Sequence, residues 1–290
     1  MTQLPPHSVT DLLVLSYVQL RDAWVKAHQV QDCSTDAPWH QWRDVPEDAP
    51  ITLRDVLMDF GEKSGSLAAR AVGQHLDLLA RAYWLDPAAP DGPEWDRWPY
   101  AAAYGPARAI LESAALAGWL LDPDPDPDER ALRGARLALW SRAIDWEDDL
   151  RSAGFDVRRN DNDTPYVWSD GSSRPLSLSA LVRYVFSRRG TRLYGRWSKQ
   201  LHNDPVAIAP RSTLRVEDDG LHLGSIIRED EHIELAVDVA DMLLVAGQRQ
   251  AAYFGRTVEP IGHACHQVAG CLRSCADPPH PVLGPFFRAK

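Results

Sequence analysis

An arginine and a histidine six positions apart, Arg196 and His202, lie in the stretch Leu193-Tyr-Gly-Arg-Trp-Ser-Lys-Gln-Leu-His202. Together they hold what phosphodiester cleavage without a metal requires. An imidazole can move a proton to or from a ribose hydroxyl or a leaving oxygen, and a guanidinium can stabilise the charge that gathers on a phosphorane. On a helix the two residues fall about 120° apart with Lys199 between them, so one polar face carries two fixed cations and an imidazole. Leu193, Tyr194, Trp197 and Leu201 cluster on the other side. Such a spacing recurs by chance in many helices, and its meaning rests on what faces it.

A second pair supplies a candidate. The segment from Tyr100 to Leu121 reads as a helix with only two charges, Arg108 and Glu112, which stand four residues apart and therefore share a face. A helix so poor in charge belongs in the centre of a bundle. Removing one member of a buried ion pair costs about 3–5 kcal/mol, so each of the two needs a partner. Two readings stay open: an internal ion pair that fixes helix register, or a Glu112 that orients a catalytic group on a facing helix. Both side chains are predicted to be largely buried, with Glu112 in reach of the Leu193 to His202 helix.

The third constellation is His263, Cys265, His266, Cys271 and Cys275, whose composition invites zinc. Taking Cys265 as zero, His266 points at about 100°, His263 at about 160°, Cys271 at about 240° and Cys275 at about 280°. These directions surround the helix, so structural thiols are expected and no metal site. His75 is expected to be a satisfied core histidine on the apolar flank of a long helix. A Gly-rich phosphate loop, a His-Glu-x-x-His motif, a serine elbow and paired Glu-x-x-His motifs are all absent from the chain, and no cofactor is expected.

The elements that must carry these residues are helical. Apolar residues recur at three- and four-residue steps through 52–84, 132–150 and 233–254, the pattern of amphipathic helices. Leu12 to Val25 and Val258 to Leu272 add helices towards the two ends, and Leu176 to Ser187 and Thr191 to His202 add two shorter ones. Asp122-Pro-Asp-Pro-Asp-Pro-Asp128 ends one helix and offers acidic residues to the start of the next. The stretch 155–175 reads as irregular, and 211–224 alternates around Asp219-Gly220 like a β-hairpin. Trp39-x-x-Trp42 and Trp95-x-x-Trp98 sit in Pro-rich loops and are expected to plug bundle ends. The expected fold is all-α: one domain over 1–290, a bundle of about seven helices with a small hairpin insertion and a Pro-rich tail at 277–290.

Composition narrows the partners. The 290 residues carry a net charge of −10, which argues against a dedicated nucleic-acid coat or a basic membrane-surface protein. Residues 151–215 run the other way, with 12 Lys and Arg against 5 Asp and Glu. That segment is either a solvated face paired with acidic neighbours or an anion-binding surface for phosphate or RNA. No apolar run is long enough for a membrane span, and four Cys do not form a secreted disulfide framework, so a cytoplasmic protein is expected.

The helix Ala107-Arg-Ala-Ile-Leu-Glu-Ser-Ala-Ala-Leu-Ala-Gly-Trp-Leu-Leu-Asp-Pro123, followed by the Leu193 to His202 segment, resembles a group of helical proteins common in actinobacteria. That group is similar to the HEPN (higher eukaryotes and prokaryotes nucleotide-binding) nucleases. The resemblance covers about residues 100–205. It implies a helical bundle, often a homodimer, that cleaves RNA without metal, possessing a catalytic Arg and His for which Arg196 and His202 stand here. Arg108, Glu112 and Lys199 would support them, and the basic 151–215 segment would hold RNA, in a toxin or defence setting. The family usually has a polar residue directly after the Arg, where this chain has Trp197. The alternative is a non-catalytic helical interaction module, antitoxin-like or a defence scaffold, in which the same residues bind anions or a protein partner.

Overall fold

The computed structural model describes residues 9–29, 36–41, 49–83, 102–141, 146–169, 175–202, 212–217, 220–225 and 229–276. Among these residues seven long helices carry the fold: α1 (Val9–Gln29), α3 (Leu53–Ala82), α4 (Tyr104–Leu120), α5 (Pro127–Ser141), α7 (Leu178–Leu201), α8 (Glu229–Phe254) and α9 (Glu259–Ala276). Two short ones, α2 (Pro38–Gln41) and α6 (Glu147–Ser152), accompany them. Two antiparallel hairpins complete the description, β1 (Val157–Arg159) with β2 (Pro165–Val167) and β3 (Ser212–Glu217) with β4 (Gly220–Ser225). The all-α bundle with a small hairpin expected from the sequence is the fold observed.

Local chemistry sets the helix ends. Thr52 caps α3 in a reciprocal box, its hydroxyl accepting from the Asp55 amide at 3.3 Å while its own amide donates to Asp55 Oδ2 at 2.8 Å, an arrangement worth about 1 kcal/mol. Pro127 opens α5, and the preceding Asp126 accepts from the Glu129 amide at 2.8 Å, so proline stands where its missing N–H costs nothing. No side chain caps the start of α4. Its stability comes from burial instead: Ala107, Ile110, Leu111, Ala114, Ala115 and Ala117 are at most 1% exposed.

α4 is the axis of the bundle. It packs against α3, α7 and α8, while α1 and α9 close the far side. Close approach is bought with glycine at α3 and α5, where a Cβ on Gly134 would stand 2.1 Å from the Leu57 carbonyl oxygen. A smaller core of Leu57, Ala135, Ala138, Leu139, Leu150 and Val167 seats the first hairpin against α5 and α3.

The structure and the sequence reading compare unevenly from element to element. The periodic run 132–150 is not one helix: α5 ends at Ser141 and α6 begins at Glu147, with Trp146 as its cap residue. The apolar stepping persists across the break because Leu139 and Leu150 share the small core. The stretch read as irregular contains the β1–β2 hairpin, three pairs long, too short to show an alternating pattern. In the second hairpin Gly220 pairs with Glu217. Trp39 lies on α2, donating to Glu62 Oε1 at 2.9 Å; Trp42, Trp95, Trp98 and the tail 277–290 fall outside the described residues. The division of 176–202 into two helices has a counterpart: α7 is kinked at Ser187, whose φ of 55° and ψ of −147° are not helical.

Candidate functional site between α4 and α7

α7 runs antiparallel to α4, with Val185 before the kink against Gly118 and Leu201 beyond it over Gly105. Burial of Leu193 and Trp197, the latter fully enclosed, fixes the rotation of this half-helix. Tyr194 and His202 then face α4. Arg108 meets both: its Nη2 donates to Tyr194 Oη at 3.0 Å, its guanidinium carbon lies 4.9 Å from the centre of the Tyr194 ring, and its Nη1 stands 3.4 Å from His202 Nε2. Nε donates to Glu112 Oε1 at 2.8 Å. Burial opposes the Arg108 cation, but the hydrogen bond and charge of Glu112, with Tyr194, outweigh it and hold the guanidinium above its ordinary range.

The pair is less buried than the charge-poor helix implies. The Arg108 and Glu112 side chains keep 21% and 23% of their exposure, because they lie on the strip of α4 left between α3 and α7 instead of on its core faces. Among the described residues Glu112 makes no hydrogen bond to α7; Arg108 stands between, so the carboxylate steadies the guanidinium and the guanidinium meets the imidazole.

Arg196 lies on another face. Its Nη2 donates to Asp238 Oδ2 at 2.7 Å and its Nη1 reaches Glu234 Oε2 at 3.4 Å, both on α8. Arg189 shares Asp238 at 2.8 Å and takes Asp241 at 2.6 Å, which strengthens the Arg189 cation through its hydrogen bond to Asp238 against the cost of burial. These residues rim a groove of about 590 Å³ floored by Leu193, Ile233 and Val237. The structure thus brings His202 to Arg108 and sends Arg196 to the acidic row of α8. The reason is Trp197, which fills the core position next to Arg196. Lys199 is exposed and has no ion-pair partner among the described residues.

Three further residues are placed. His75 is half-exposed, and its Nδ1 is buried without a hydrogen-bond partner, which corrects the reading of a satisfied core histidine. Burial lowers its proton affinity, opposed by the charge of Glu112. Cys265 is buried, and burial, with a smaller push from Asp241, raises its thiol to about 12, an inert core sulfur. His263 and His266 are exposed, and among the described residues no group of three or more His, Cys, Asp or Glu is arranged to hold a metal.

Sequence reasoning missed Asp122. Read as a loop acid, it is 1% exposed and accepts from Tyr184 Oη at 2.5 Å, Arg249 Nη1 at 2.9 Å and Arg133 Nη1 at 3.5 Å. It ties α5, the first half of α7 and α8 together. The only sequence signal is its position directly after the apolar helix, where the chain is still inside the core. No protein-family model, curated protein or solved structure matches this chain.

Proposed function

We propose that the chain is a HEPN-like, metal-independent endoribonuclease whose reacting group is His202, with Arg108 as the cation beside it. The observation that carries this reading is the Arg108 guanidinium, fixed by Glu112 and Tyr194, 3.4 Å from the exposed imidazole of His202. A preorganised cation needs no rearrangement as charge builds on the phosphorane, and the imidazole is free to transfer a proton. RNA would be held along α7, where Arg183, Arg188, Arg192 and Lys199 are exposed and have no ion-pair partners among the described residues. Attack of the ribose 2′-hydroxyl on its own phosphate leaves a 2′,3′-cyclic phosphate and a 5′-hydroxyl.

A second reading has its own support. Arg196, the arginine of the expected motif, is engaged by Glu234 and Asp238, as suits a helical interaction module that cuts nothing. Incubating the purified protein with RNA in EDTA separates the two. The nuclease reading expects cleavage with 2′,3′-cyclic phosphate ends; RNA left uncut by a well-folded preparation decides for the interaction module.

A further inference from the structure

Among the described residues, His75 is a further histidine near this cluster with no role in the proposed cleavage. Two observations place it there. Gly65 of α3 abuts Leu120 and Leu121 of α4, with only 2.9 Å from a Cβ at Gly65 to Leu121 Cγ. The helices are antiparallel, so ten residues along α3 reaches His75 and ten residues back along α4 reaches Leu111, beside Glu112, each about 15 Å away. The second observation is electrostatic: Glu112 is the charged group whose field reaches His75. α3 and α7 both flank α4, so the strip bearing Arg108, Ala109, Glu112 and Ser113, all half-exposed, lies between His75 on one wall and Tyr194 and His202 on the other.

We propose that His75 is a second proton-transfer residue of this site, acting on the RNA opposite His202; the inference rests on the ribonuclease reading given above. His75 Nε2 takes the proton of the 2′-hydroxyl as the bond from the 2′-oxygen to phosphorus forms. His202, entering as the imidazolium, gives its proton to the 5′-oxygen as the bond from phosphorus to that oxygen breaks. Arg108 holds the charge on the phosphorane oxygens between them. Exchange with water returns both imidazoles to their starting states.

The surroundings of His75 suit the base. Its buried Nδ1 lacks an acceptor, and Glu112 Oε2 carries no hydrogen bond among the described residues. Closure of the two on substrate binding pins the proton on Nδ1 and leaves Nε2 as the base, and the carboxylate then stabilises the imidazolium that forms. The charged group facing it is Glu112 of α4, whose far partner Arg108 leads on to Tyr194 and His202 of α7. α1 packs on the opposite side of α3, where Val25 meets Gly73. Burial lowers the proton affinity of His75 from the ordinary 6.5, so the neutral base is the resting form at neutral pH.

Single-turnover cleavage of RNA by H75A, across pH 5 to 8 and with and without free imidazole, tests the assignment. The expected result is a loss of about 100-fold or more at neutral pH. The acid limb below pH 6.5 disappears from the rate profile, and added imidazole restores part of the rate. Where alanine unfolds the protein, H75Q keeps the volume and removes the base. Wild-type rate and pH profile in the variant overturn the proposal while leaving the nuclease reading intact. A loss that follows only the thermal stability of the variant, without imidazole rescue, also overturns it. RNA left uncut by the wild type overturns both, and H202A alone inactive supports only the nuclease reading.

Discussion

The two faces of α7 carry similar residues to different ends. Towards α8, Arg189 and Arg196 are 43% and 45% exposed, and each is held by carboxylates of the acidic row. Towards α4, a single guanidinium from the other helix, half-buried and pinned by one carboxylate and one phenol, faces an imidazole. The first arrangement spends its cations on fold contacts that water screens. The second keeps a fixed cation beside an exposed imidazole. A count of basic residues on a helix therefore says little about chemistry until the facing helix is known, because an acidic neighbour removes a cation from service and a half-buried partner places one in it.

The largest expected effect separates the faces directly. H202A and R108A should each lower RNA cleavage by about 100-fold or more, whereas R196A should stay within about threefold of wild type. Product yield in a single-turnover assay reads the difference, and an R196A variant as inactive as H202A would reverse the comparison. Next comes the hub behind the first half of α7. D122A leaves Arg133, only 6% exposed, and Arg249 without their shared carboxylate, and chemical denaturation should show a loss of about 3–5 kcal/mol.

Smaller effects test the joint and the screened face. Ser187 holds a positive φ inside α7, and glycine adopts that conformation without a clashing Cβ, so S187G should gain about 1 kcal/mol of stability. A destabilised S187G would show that the serine side chain holds the kink. D238A should cost about 1 kcal/mol or less, since its partners are exposed arginines. Under the nuclease reading it should also tighten RNA binding and steepen its salt dependence, because Arg189 and Arg196 are released. A loss of several kcal/mol would mean that the α8 face is a structural element of the same weight as the Asp122 hub.

Much of the frame is legible without coordinates. The three- and four-residue stepping through 52–84 marks α3 as a helix with Leu57 fully enclosed, but Leu67 and Leu78 of that same stepping face solvent while Val72, Leu76 and Leu79 fill the core. The near absence of charge in 104–120 marks α4 as central, and the four-residue spacing makes Arg108 and Glu112 an ion pair, observed at 2.8 Å. The run read from 52 and the proline-rich break at Asp122–Asp128 fall at observed ends, since α3 starts at Leu53 and α5 at Pro127. These properties are local: a periodicity, a cap or an i to i+4 pair is fixed by the 3.6-residue turn and by solvent preference, whatever packs nearby.

What packs nearby decided the rest. Which of Arg108 and Arg196 meets His202 depends on the rotation of α7, set by Trp197 entering the core and by the kink at Ser187. Whether Asp122 is a loop acid or a hub depends on Arg133, Arg249 and Tyr184 arriving from three other helices. That the Nδ1 of His75 is buried without a partner is likewise a matter of what packs around α3. The sequence by itself determined that the chain is helical, where most of its helices run and which residues pair within one turn. The tertiary structure alone determined the company each charged side chain keeps, because that is fixed by contacts between residues far apart in the chain, where no local period carries information.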